Sequence, residues 1–247
     1  MDTRLIILTG WACPADWLRP LSEAAGHKGD VDLRAVLALR SAKPAAAGLS
    51  GYAAGLLELL ESGPNGAWVV GWSMGGLVAL EACLARPDLF RGLALLAATA
   101  RFTRAEDSAC GVRDATVRVL ARHLARDPLA TLSRWLKDGA RFPPLSEAES
   151  VRMAQSSLGS FTTQDLLDGL DYLLHADWRP GLARLRVPSL LLHAREDALV
   201  PPAAAENLAA AMPGARFKVY EQADHFFPIR RPVEVAADIL AFMGERA

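Results

Sequence analysis

Gly71-Trp72-Ser73-Met74-Gly75 is the segment with the most chemistry in this chain. It follows the apolar run Ala67–Val70 and precedes a helix-like stretch, Gly76–Ala85. In that setting a Gly-x-Ser-x-Gly string forces a sharp strand-to-helix turn that lifts the serine hydroxyl clear of the backbone. A β-carbon at Gly71 or Gly75 would collide with the neighbouring chain, so both glycines have a steric reason. The Met74 N–H lies at a helix start without an intrahelical acceptor and can stabilise an oxyanion. Ser73 is therefore a candidate nucleophile. A purely structural glycine-rich turn is the alternative, and a base and an acid elsewhere must decide between them.

The chain has five histidines. His27 precedes a strand, His123 and His175 lie in helical patterns, and His193 sits inside the apolar run Leu190–His193, as core or strand-end histidines do. His225 alone falls in a loop after the last strand, in Glu221-Gln222-Ala223-Asp224-His225-Phe226. Such a loop can hold an imidazole over the nucleophile. The acid is expected after another strand. Ser189–His193 is followed by Ala194-Arg195-Glu196-Asp197, which makes Asp197 the candidate and Glu196 its rival, since adjacent residues point in different directions. A loop-closing Asx turn is the other use for an aspartate there. After Leu93–Ala97 no acid occurs until Glu106. A second oxyanion donor is expected from the loop after the first strand, Thr9-Gly10-Trp11, through the Trp11 N–H. The rings of Trp11 and Trp72, with Phe142 and Phe226, are candidate walls for an apolar acyl group; simple core packing is the competing role.

Alternating strand-like and helical segments have to position these groups. Strands are expected at Leu5–Leu8, Val31–Leu33, Ala67–Val70, Leu93–Ala97, Ser189–His193 and Arg216–Tyr220. Helices are expected at Ala15–Ala24, Gly51–Glu61 (with Ser50 as N-cap), Met74–Ala85, Ala203–Met212 and Pro232–Met243. Near-continuous apolar strands between helices imply an α/β fold, a mostly parallel sheet of about six strands covered on both faces. The stretch Ser41–Ser50 reads as a loop. Between Arg101 and about Leu185 the alternation stops, leaving four helical pieces: Asp114–Ala125, Pro128–Gly139, Glu147–Leu158 and Thr163–Leu174. We divide the chain into a core (1–100 and 186–247) and a helical cap (101–185) inserted before the acid-bearing strand loop. The cap should lie over the strand ends, where the Ser73 turn points.

Composition bounds the rest. With 247 residues, 51% apolar and 22% charged, the chain can bury one sizeable core. A net charge of −1 gives no general attraction to nucleic acid or membrane. The longest apolar run, Gly92–Ala100, is strand-sized, and Met1-Asp2-Thr3-Arg4 runs into a strand without a signal-peptide pattern. Cys13, Cys83 and Cys110 are odd in number and lack metal spacing. A cytoplasmic, monomeric protein with reduced thiols, needing no metal or organic cofactor, is the expectation.

The order Ser73, Asp197, His225 is that of α/β-hydrolases rather than of the other serine-triad arrangements. Over most of its length the chain resembles the pimeloyl-acyl-carrier-protein methyl ester esterases of biotin synthesis. Thr9-Gly10-Trp11 with Trp17 is similar to that family's His-Gly-Trp segment, and Gly71–Gly76 to its nucleophile elbow. The passage Asp168-Gly169-Leu170, Leu173-Leu174, Asp177, Arg179 resembles the end of its cap. Asp197–Pro201 and Ala223–Pro228 resemble its acid and histidine loops. Thr9 stands in place of the family's histidine, Arg195 in place of a glycine, and Leu39–Ser50 in place of its Asp-x-Pro-Gly-x-Gly-x-Ser loop; its leading antiparallel strands are missing. The resemblance implies a carboxylesterase acting on a free or carrier-bound methyl ester.

The segment Arg113–Arg141 carries seven basic residues against three acidic ones. Arg118, Arg122 and Arg126 are spaced for one helix face, and Arg134, Lys137 and Arg141 follow i, i+3, i+7. A basic stripe beside the pocket mouth would orient an acidic acyl carrier protein; a solvated face without a partner is the alternative. The same machinery also suits a thioesterase, a lactonase or a carbon–carbon bond hydrolase. A binding protein that kept the fold without turnover is the remaining reading.

Overall fold

A computed structural model describes residues 4–26, 31–41, 48–63, 66–106 and 110–245. Its six described strands are β1 (Leu5–Leu8), β2 (Val31–Arg34), β3 (Ala67–Trp72), β4 (Phe90–Leu96), β5 (Ser189–Ala194) and β6 (Arg216–Tyr220). They form one sheet in the order β2-β1-β3-β4-β5-β6, with every neighbouring pair parallel. The central strands β1, β3, β4 and β5 are almost wholly buried, as apolar strands covered on both faces must be. The helices α1 (Arg19–Ala25), α2 (Gly51–Glu61), α3 (Met74–Ala85), α8 (Pro202–Ala211) and α9 (Pro232–Gly244) cover it. Ser50 caps α2, its hydroxyl accepting from the Ala53 N–H at 3.1 Å.

In three elements the boundaries differ from the sequence expectation for identifiable local reasons. The expected helix Ala15–Ala24 opens as a 3-10 turn (Ala15–Leu18), and α1 begins only at Arg19, because Pro20 suits a helix's first turn but not its interior. β3 continues through Gly71 and Trp72, so the strand runs directly into Ser73. β4 begins at Phe90 and stops at Leu96, because Ala97 takes a φ of +46° and leaves the extended conformation. His27 and residues 42–47 of the expected Ser41–Ser50 loop lie outside the described residues.

Between β4 and β5 runs an insertion of α4 (Asp114–Arg126), α5 (Pro128–Gly139), α6 (Glu147–Ser160) and α7 (Thr163–His175). Reciprocal capping boxes, Ser146 with Glu149 and Thr162 with Asp165, start α6 and α7. The base of the insertion is closed by an antiparallel bridge between Arg101 and Asp177, whose side chains pair at 2.8 Å. No described helix is long and apolar enough to cross a membrane.

Candidate active site

Ser73 joins β3 to α3 with φ +55° and ψ −118°, a conformation that L residues rarely adopt and that costs on the order of 1–3 kcal/mol. The surrounding backbone holds it there: the Ser73 N–H donates to the Leu96 carbonyl at 2.8 Å, and its carbonyl accepts from Gly76 at 2.9 Å. Glycine is required on both sides. A Cβ on Gly71 would sit 2.6 Å from the Gly75 oxygen, and one on Gly75 would sit 2.6 Å from the Thr9 oxygen.

The loops after β5 and β6 bring Asp197 and His225 together. His225 Nδ1 lies 2.8 Å from Asp197 Oδ2, with both side chains almost wholly buried. Asp197 Oδ1 accepts the N–H groups of Leu199 and Val200 at 2.9 and 2.8 Å, so neither carboxylate oxygen is idle. An ionised carboxylate accepts at Nδ1–H, which leaves Nε2 as the basic nitrogen of His225. Glu196, the rival acid, turns the other way and accepts the Ala223 N–H at 3.0 Å, stitching the two loops together. His193 stands behind the pair, its Nε2 at 3.1 Å from the Val200 carbonyl and 3.7 Å from Asp197 Oδ2. Burial holds its pKa below the ordinary histidine value. A neutral His193 leaves the charge of Asp197 directed at His225.

Trp72 is completely buried, and its indole N–H donates to the His225 carbonyl at 3.0 Å. Its ring centroid lies 5.7 Å from the His225 ring and 5.7 Å from Phe226. The residue beside Ser73 thus props the histidine loop.

The β1 loop passes directly against Ser73: a Cβ on Gly10 would be 3.2 Å from the Ser73 Cβ. Thr9 organises this loop. Its hydroxyl donates to the Cys13 carbonyl at 2.6 Å and accepts the Val36 N–H at 3.4 Å. Burial pushes the Cys13 thiol up, keeping it a donor, and it bonds the Trp11 carbonyl at 3.2 Å. The carbonyl that shares a peptide with the Trp11 N–H, that of Gly10, accepts the Cys13 N–H at 3.3 Å, which fixes this peptide in the loop.

The Trp11 ring is buried under the insertion. Its indole N–H donates to the Leu166 carbonyl of α7 at 2.8 Å, and Gly169 admits it, since a Cβ there would be 2.6 Å from Trp11 Cδ1. Trp135 of α5 packs edge-on to Trp11 at 5.0 Å and near Phe226 at 6.0 Å, joining the two loops that flank Ser73. Sequence reading missed Trp135; the one signal was its place among the apolar positions of α5 over the strand ends. Phe142 lies elsewhere, on the α5–α6 link and 41% exposed, and meets the site through its backbone N–H, which donates to Asp224.

The remaining histidines keep apart. His123 and His175 are exposed on α4 and α7, the latter beside Asp171 at 3.3 Å. Arg118, Arg122 and Arg126 are exposed along α4. Arg134, also exposed, pairs weakly with Asp138 at 3.9 Å. Arg141 does not continue the Arg134–Lys137 face, because α5 ends at Gly139 and Arg141 belongs to the link.

Residues 52–232 match the family profile described as the alpha/beta hydrolase fold. Pimeloyl-[acyl-carrier protein] methyl ester esterase of Xanthomonas campestris pv. campestris is 33% identical over 90% of this chain and 87% of its own. The like-named protein of Stenotrophomonas maltophilia is 36% identical over 73% and 70%. Among solved structures, a bromoperoxidase from Bacillus anthracis superposes with a TM-score of 0.85 at 20% identity, covering 99% of this chain and 92% of its own. An esterase from Exiguobacterium antarcticum gives 0.84 at 19%, covering 98% and 91%. The six-stranded parallel sheet flanked by helices agrees with these similarities, and the chain belongs to the α/β-hydrolase family, within it to the pimeloyl-[acyl-carrier protein] methyl ester esterases.

Proposed function

We propose that Ser73, His225 and Asp197 are the catalytic triad of a serine carboxylesterase. His225 Nε2 takes the proton as Ser73 Oγ attacks the ester carbonyl, and the tetrahedral oxyanion is held by the Met74 and Trp11 N–H groups. The imidazolium returns the proton to the departing alkoxide, releasing the alcohol and leaving an acyl-serine. Water, deprotonated by the same nitrogen, then frees the acid. Asp197 fixes the tautomer and stabilises the imidazolium. The carrying observation is the 2.8 Å bond between His225 Nδ1 and a carboxylate whose other oxygen is already fixed by two N–H groups. A fluorophosphonate probe should label Ser73; labelling elsewhere, or none, overturns the triad.

The substrate we assign is pimeloyl-acyl-carrier-protein methyl ester, with loss of methanol, in biotin synthesis. Support comes from the names of the relatives and from the buried aromatics around Ser73. The insertion acts as a cap over the site, with Trp11 and Phe226 beside the acyl group. The exposed arginines of α4, with Arg134 and Arg141, offer an acidic carrier protein its docking surface. We assign the enzyme to the cytoplasm as a monomer, in keeping with its three unpaired cysteines. Rescue of a biotin-requiring bacterium that lacks its methyl ester esterase tests the substrate. Failure of rescue with turnover of simple esters intact would reject the substrate and keep the mechanism.

A further inference from the structure

Asp224 immediately precedes the proposed catalytic histidine and has no part in the chemistry above, yet it is one of the best-connected carboxylates in the molecule. Its side chain is fully buried. Oδ1 accepts the Phe226 N–H at 2.9 Å, which is all that closing the local turn requires. Oδ2 is committed elsewhere. It accepts the backbone N–H groups of Arg141 and Phe142 at 2.6 and 2.7 Å, from the α5–α6 link more than 80 residues away in sequence. Arg230 adds a third partner to the same oxygen at 2.7 Å and balances the charge.

The neighbours of this contact are those of the site. Phe226 packs against Trp72 and Trp135, and the last residue of α5, Gly139, has room only for hydrogen, since a Cβ there would be 2.9 Å from Phe226 Cε2. On the far side of the peptide, the His225 carbonyl is held by Trp72. His225 is therefore gripped from behind by the nucleophile strand and from in front, one residue away, by the insertion. If the link moves off, Oδ2 loses two of its three donors and a buried charge is left under-bonded. That state is strongly disfavoured in a low-dielectric site.

We propose that Asp224 is a positioning residue that couples the seating of the cap to the placement of His225, so that the imidazole is aligned only when the α5–α6 link is docked. This rests on Ser73, His225 and Asp197 being the triad. Every substrate depends on the aligned imidazole, and an acyl group long enough to reach the cap depends on the seated cap for binding as well, whereas an acetyl group that touches only the elbow does not.

The experiment compares wild type with Asp224→Ala, and with Asp224→Asn as the isosteric variant that retains one accepting oxygen. Active sites are titrated with a fluorophosphonate, so that unfolded protein drops out of the rates. For Asp224→Ala, kcat for 4-nitrophenyl acetate and hexanoate should both fall about ten-fold from the loosened imidazole. KM for hexanoate should rise about ten-fold while KM for acetate changes less than about two-fold. Hydrogen exchange at the Arg141 and Phe142 amides should speed up about ten-fold or more. Asp224→Asn should show the same split, reduced. Equal changes in KM for both esters, or unchanged exchange at the two amides, would overturn the coupling. Wild-type labelling at Ser73 tests the triad separately, so the two failures are distinguishable.

Discussion

The loops at the strand ends and the helical insertion above them are built on different principles. The loops are set by backbone geometry: a strained serine, a carboxylate closed by two N–H groups, and a glycine pressed against the nucleophile. The insertion is a set of amphipathic helices that reach the core through a few polar anchors. Among them are Trp11 to Leu166, Ser157 to the Ala12 carbonyl, Tyr172 to the buried Glu81, and the Asp224 contacts. On the proposed function, the chemistry resides where the sheet register leaves little freedom, and substrate choice resides where a handful of side chains set the fit. Changes in the two regions should therefore fail differently, the first in kcat and the second in the ratio between substrates.

Ser73→Ala makes the sharpest break. It removes the nucleophile without touching the turn, and kcat should fall by roughly a hundred-thousand-fold or more with the fold intact by circular dichroism. Activity within about ten-fold of wild type would place the chemistry elsewhere. Asp197→Asn comes next. The amide still accepts from Leu199 and Val200, but its NH2 can face Nδ1 and favour the wrong tautomer, so a loss of about ten-thousand-fold in kcat is expected. A retained rate would promote Glu196, which the structure turns toward Ala223.

The other side of the comparison is the exposed face of α4. Replacing Arg118, Arg122 and Arg126 together by Glu should lower kcat/KM for a carrier-bound ester by about ten- to a hundred-fold at low salt. Small esters should be unaffected. Equal loss on both would show that the face serves the fold rather than a partner.

Trp72 sits between the two regions. Trp72→Phe keeps the ring but leaves the buried His225 carbonyl without its donor, which should cost about 1–3 kcal/mol of stability in chemical denaturation. It should also lower kcat several-fold on every ester alike; a selective loss on long acyl chains would instead make Trp72 part of the acyl pocket.

How much of this was legible beforehand divides along the same line. The elbow, the two loops and the helical insertion could be read because apolar period and glycine spacing report directly on backbone. The rivalry of Glu196 and Asp197 was readable only as a choice, since it turns on which of two adjacent side chains faces another loop. Trp72 could be read as a candidate pocket wall but not as a brace of the histidine loop, because an indole's ring is visible in sequence and the partner of its N–H is not. Asp224 carried no signal at all: its partners are backbone amides in a link that only the packing of α5 brings near. Thr9 shows a third case. Its hydroxyl bridges Cys13 and Val36, contacts that a threonine could make in many ways and that only the fold selects.

The smallest expected effect concerns the hinge of the insertion. Asp177 binds Arg179 at 2.7 Å and Arg101 at 2.8 Å, and these guanidiniums, Arg179 foremost, pull its pKa down to about 2. A carboxylate with a depressed folded-state pKa stabilises the protein above its unfolded value near 4 and loses that contribution as the pH falls toward 2. Its side chain is 22% exposed, so solvent screening takes a share, and about 1–2 kcal/mol remains. Asp177→Asn should therefore lower stability by that amount in urea at pH 7 and by almost nothing near pH 2, while leaving turnover of acetate esters close to wild type. The same loss at both pH values would mean that the contact works through shape rather than charge. The cap's base would then be held like the core loops, by geometry alone, and the contrast between the two regions would lose its electrostatic half.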